Sequence, residues 1–147
     1  MAIGELLYEE KGKQTGIRVL ESVMSVPVAE ISGLGSLKFE GIGINTVWTM
    51  RVRLADDGIS FVKGHGIMYG ENSEVASYVI EGITKPNNSG GSSSRGSFKM
   101  TTTREALING TSKTNDKKLV LLTNKILVYE LEQDEGGDYS FKTWEWK

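Results

Sequence analysis

The chain has 147 residues, 38% of them hydrophobic and 24% charged, the size and composition of one globular domain, which excludes two large ones. It has no cysteine and one histidine, His65, which removes disulfides, thiolate metal sites and cysteine nucleophiles and leaves no metal centre to expect. The 17 Lys plus Arg against 19 Asp plus Glu give a formal net charge of −2; no segment concentrates the cations, so nucleic acid is not an expected partner.

The opening Met1-Ala2-Ile3-Gly4-Glu5 lacks the basic region and apolar stretch of a secretory signal or membrane helix, so a cytoplasmic protein without a membrane partner is expected. Strands are predicted at Glu5 to Lys11, Gly16 to Ser25, Val28 to Ser32 and Gly35 to Gly41, with the first hairpin turning at Gly12-Lys13-Gln14-Thr15. From Ile44 to Leu54 the chain alternates strictly, with Ile44, Thr46, Trp48, Met50, Val52 and Leu54 on one face, the period of a strand. Asp56-Asp57-Gly58 supplies hairpin chemistry, and Ile59 to Tyr69 returns. Here the set Ser60, Val62, Gly64, Gly66, Met68 carries small residues in its middle. Glu71-Asn72-Ser73 turns into a strand from Val75 to Lys85, with Ala76, Tyr78 and Ile80 on one side.

The stretch from Pro86 to Ser94 is low in complexity and free of apolar residues, and reads as a flexible loop at about 86–94. Too little chain follows it for a second core, so residues 1–147 are expected to form a single domain. A strand from Arg95 to Thr103, a less periodic stretch from Arg104 to Asn124, and strands at Ile126 to Gln133 and Tyr139 to Lys147 complete the chain. Lys117 to Thr123 fits one helical turn or a strand. Short strands, short turns and no βα alternation predict an all-β fold, a single antiparallel up-and-down β-barrel of about eight strands, with a two-sheet β-sandwich as the alternative. Glycines within the predicted strands favour the barrel, since closure needs coiling and bulges.

The ends of the chain, Leu7-Tyr8-Glu9-Glu10-Lys11-Gly12-Lys13 with Gly16-Ile17-Arg18-Val19-Leu20 and the closing Lys142-Thr143-Trp144-Glu145-Trp146-Lys147, resemble a family of uncharacterised prokaryotic small β-barrel proteins. In broader shape the chain is similar to the allene oxide cyclase and dirigent barrels, which are calycin-type in architecture. The first resemblance implies a barrel and no known activity. The second implies only architecture, and no residue is carried over from it.

Four residues are candidates for acid or base chemistry. His65 is the one imidazole, a side chain suited to general acid or base work, and Glu40, Glu81 and Tyr69 lie on neighbouring predicted strands. Cross-strand pairs of Glu40 and Glu81 with Arg51 and Arg53 on the outside of a barrel explain these residues without a function, the reading preferred over a buried paired site. Trp48, Tyr69, Tyr78, Trp144 and Trp146 are the large aromatics available to line an interior or a ligand wall. The leading expectation is a binding module holding a small hydrophobic molecule in the barrel interior or mouth, without a cofactor and not an enzyme. The alternatives are a cofactor-free isomerase or cyclase acting on a lipid-like substrate, and a self-associating structural protein forming a homo-oligomer.

Overall fold

The computed structural model describes residues 4–23, 26–55, 57–105 and 117–147. Strands β1 (Leu6–Val23), β2 (Val26–Phe39), β3 (Ile42–Leu54), β4 (Ser60–Gly70), β5 (Glu74–Pro86), β6 (Ser92–Glu105), β7 (Leu127–Gln133) and β8 (Asp138–Glu145) pair in sequence order. Every pairing is antiparallel, and β8 closes onto β1 from Leu6↔Trp144 to Lys13↔Asp138. The fold is therefore the all-β, closed eight-stranded barrel, and the sandwich alternative is set aside because no sheet edge separates β8 from β1.

Alternation places the core. Leu37, Ile44, Trp48, Met68, Tyr78, Ile80, Phe98, Leu127, Tyr129 and Phe141 are buried inside. One end of the barrel is plugged by a 3-10 turn, Leu119–Leu122, whose Leu119 and Leu122 are buried. The Glu74 carboxylate holds this plug by accepting from the backbone N–H groups of Lys118, Leu119 (3.1 Å) and Val120 (3.3 Å). Lys117 to Thr123 thus resolves into a single helical turn rather than a strand. The middle of the less periodic stretch, 106–116, lies outside the described residues.

Three expectations are corrected. Gly12 to Thr15 form no turn: β1 runs through them, with a register shift between Gln14 and Gly16. Such a bulge inserts one residue and so exchanges the faces of everything after it. Before it, Tyr8 and Glu10 point inward; after it, Ile17 and Val19 take the inward phase, opposite Ile31 and Ala29. Second, β2 is one strand rather than two. Its Gly33 is required because a Cβ there would collide with the indole ring of Trp48, so this glycine marks close packing and not an interruption. Third, Ser92–Ser94 begin β6, paired with Pro86, Lys85 and Thr84. The connection is only Asn87 to Gly91, where the Asn87 side chain accepts from the N–H groups of Ser89 (3.1 Å) and Gly91 (3.0 Å).

The wall is uneven at the end opposite the plug. β1 pairs with β8 only as far as Lys13↔Asp138, but with β2 as far as Val23↔Val26. Among the described residues, Gly16 to Val23 therefore have a strand on one side only, and β1 and β2 project as a flap beyond the β7–β8 wall.

Candidate functional site

Two regions carry chemistry: the barrel centre and the flap-side mouth. At the centre, Glu10 on β1 shares the inward phase of Tyr8 and is buried. Tyr139 on β8 donates its hydroxyl proton to Glu10 Oε2, and the indole N–H of Trp48 donates to the same tyrosine oxygen at 2.8 Å. The Trp48 and Tyr139 rings meet edge to face at 5.5 Å. Trp48, Tyr139 and Glu10 thus form a hydrogen-bonded chain from β3 through β8 to β1. Glycine makes it fit: a Cβ on Gly35 would collide with Tyr139 Oη and lie 2.6 Å from Glu10 Oε2.

Burial without a cation pushes the Glu10 carboxyl up to about 7, offset only in part by the Tyr139 hydrogen bond. Burial, then the nearby Glu10 charge, raises the Tyr139 and Tyr78 phenols far above their ordinary range. The Tyr78 hydroxyl is paired with Thr46 Oγ1 at 2.7 Å, and Tyr129 with Ser94 at 3.0 Å. The Tyr8 and Thr143 hydroxyls are buried on directly opposite positions of β1 and β8.

This centre is filled. Tyr78 stacks on Phe98 and Tyr129 on Phe141, each at 4.9 Å, and the cavity left beside Glu10, Trp48 and Tyr139 is about 10 Å³. That is room for at most a single water. Among the described residues, this cavity beside Glu10 is too small for a ligand larger than water.

The sequence-predicted residues separate. Trp48 and Tyr78 face the interior, as alternation requires. Tyr69 and Trp146 are exposed, and Trp144 is half-buried on the outward phase between Thr143 and Glu145. His65 also points outward, opposite Thr49 and Val79, and borders the cavity only between the side-chain-free Gly64 and Gly66. Glu81 lies on the outer wall in an ion pair with Lys63 at 3.4 Å. Glu40 is exposed in the β2–β3 turn with φ of 52°, not within a strand. His65, Glu40, Glu81 and Tyr69 therefore do not converge, and the acid chemistry expected of them has no common cavity. The acid buried at the barrel centre, Glu10, and its partner Tyr139 are not among the sequence-predicted candidates. The signal for Glu10 was present, since it lies two residues from Tyr8 and so on the same face.

The mouth is different. Residues directly opposite in antiparallel strands share a face. The rows Ile17–Ile31–Met50–Gly64 and Val19–Ala29–Val52–Val62 therefore continue the interior surface onto the flap, joined by Leu54 opposite the buried Ser60. Yet Val19 is 79%, Ile17 64% and Leu54 49% exposed, because no wall stands across from them among the described residues. An apolar lip is left open to solvent.

Among the described residues no group of side chains has metal-site composition, and no helix is long and apolar enough to cross a membrane. No protein-family model matches the chain, and no curated protein matches it. The fold is similar to two solved structures. One is a conserved protein of unknown function from Rhodopseudomonas palustris, with TM-score 0.71, 9% identity, and 96% of this chain and 95% of that chain covered. The other is a protein with unknown function from Clostridium acetobutylicum, with TM-score 0.74, 9% identity and 96% of each chain covered. At that identity the likeness is one of barrel architecture.

Proposed function

We propose that the chain is a binding protein for a small hydrophobic molecule, held at the flap-side mouth of the barrel rather than within it. The observation that carries this reading is the exposure of Ile17, Val19 and Leu54 on the inward phase of their strands. Contiguous apolar surface rimmed by polar groups marks a binding surface, and Ile31, Met50 and Val52, half-buried beneath, extend its floor inward. The architectural resemblance to calycin-type barrels is in keeping with ligand capture at a barrel mouth.

Titration with the neutral dye Nile red tests it. The expected result is one saturable site that Val19→Asp or Leu54→Asp abolishes without altering the circular dichroism spectrum. No binding by the natural sequence, or binding that neither variant weakens, contradicts it.

A second reading is self-association, favoured by the one-sided pairing of Gly16 to Val23, since an unpaired edge beside apolar surface is a template for another strand. Sedimentation at micromolar concentration separates the two: a monomer that binds Nile red supports the first, a dimer that does not bind it the second. The isomerase reading is the weakest, because Glu10 has the raised proton affinity of a general acid but only about 10 Å³ beside it.

A further inference from the structure

We propose a second binding site, on the outer wall, for a small amphipathic carboxylate with a hydrocarbon body. It is independent of the mouth, which lies on the other face of the same strands. A groove of about 620 Å³ crosses β2 to β6, within the range of small-molecule sites. Two cross-strand rows build it. In the first, Val28, Arg53, Phe61 and Ile83 lie side by side; in the second, Glu30, Arg51, Lys63 and Glu81 do.

The charges in these rows are unbalanced. Glu30 is engaged by Arg18 at 3.1 Å and Glu81 by Lys63 at 3.4 Å. Arg51 and Arg53 have no ion-pair partner among the described residues. Arg51 stands between Glu30, which Arg18 already engages, and Lys63, and the like charge of Lys63 in a directly opposite position repels it. Arg53, two residues from Arg51, faces the same side. Arg51, Arg53 and Lys63, with the one carboxylate of Glu81, thus line a groove whose floor, Val28, Phe61 and Ile83, is apolar, with Phe61 and Ile83 exposed.

An anion held by Arg51 and Arg53 supplies the ion-pair partner that both lack among the described residues, and a planar carboxylate matches a guanidinium through two parallel hydrogen bonds. The apolar floor alongside selects a hydrocarbon body of about the groove's length. A bare phosphate would leave Phe61 and Ile83 uncovered. The wall is a curved barrel surface rather than a flat basic face, and the chain is net acidic at −2, which favours a free ligand over an anionic membrane surface.

Calorimetric titration of the full chain with dodecanoate and with dodecanol, both below micelle formation, tests the assignment. The expected result is one more equivalent of dodecanoate than of dodecanol, weakened at about 0.5 M salt relative to about 0.05 M. The double variant Arg51→Gln/Arg53→Gln is expected to weaken that extra equivalent at least tenfold. The dodecanol arm reads the mouth separately, so failure of either site leaves the other measurable. Equal stoichiometry for the two ligands overturns the proposal on the unaltered chain. So does undiminished dodecanoate binding by the double variant, or binding to phosphatidylglycerol vesicles with none to monomeric dodecanoate.

Discussion

Tyr139 donates its hydroxyl proton to Glu10, two residues that are 129 positions apart in the chain and that meet where β8 closes onto β1. The contact ties barrel closure to the protonation of a buried acid. The Glu10 carboxyl holds its proton up to about 7 when folded, against 4.5 for the free group. Between those values the native state binds more protons than the unfolded one, so stability falls as pH rises. Its contribution is fully present below pH 4.5 and lost by about pH 7, in total about 3 kcal/mol. Urea midpoints measured across this range are expected to decline with pH in the natural sequence and to stay level in Glu10→Gln.

Removing the donor tests the same chain from the other side. In Tyr139→Phe the carboxylate loses the hydrogen bond that holds its proton affinity down. The decline is then expected to move to higher pH. The variant is expected to be about 1.5–3 kcal/mol less stable at pH 8, the usual cost of losing a hydrogen bond to a charged group. Paired denaturation curves at pH 5 and pH 8 read both effects.

How much of this was legible beforehand depended on distance along the chain. β3, β4 and β5 and their connecting turns were readable because period-two alternation is local: Trp48 and Tyr78 were placed on the faces they occupy. Gly12 to Thr15 read as a turn because glycine's commonest local role is to turn the chain. Its reason here is distant, since Tyr139 stands where a Cβ on Gly12 would be. The bulge that follows could not be seen in composition, and it alone decides that Ile17 and Val19 rather than Arg18 face the mouth. Glu10 is the opposite case, since its signal is local. A glutamate beside Glu9 and Lys11 looks solvated until alternation from Tyr8 is carried two residues further.

The glycines separate into those that fill a packing requirement and those that do not. Gly33→Ala is expected to cost about 1–3 kcal/mol through overpacking, because its Cβ would meet the rigid Trp48 ring. Gly16 has nothing within 4 Å of a Cβ and no positive φ. Gly16→Ala is therefore expected to be neutral or to stabilise by up to about 1 kcal/mol, by restricting the unfolded chain. Thermal denaturation of the two variants under one condition compares them directly.

The plug rests on Glu74. In Glu74→Ala three backbone N–H groups at Lys118, Leu119 and Val120 lose their acceptor, and the buried Leu119 and Leu122 lose their anchor. A destabilisation of about 2–3 kcal/mol is expected. Hydrogen exchange at those amides should quicken more than at Tyr129 or Phe98 in the barrel wall. Uniform acceleration across both would contradict a local anchoring role.

The claim that the apolar mouth, and not the interior, receives a hydrophobic guest is tested most directly by methyl NMR during titration with 1-decanol. Saturable shifts concentrated at Ile17, Val19 and Leu54, with Leu122 and Leu131 unmoved, are predicted. Shifts centred on Leu131 and the other buried methyls, or no saturable shift at all, would contradict it.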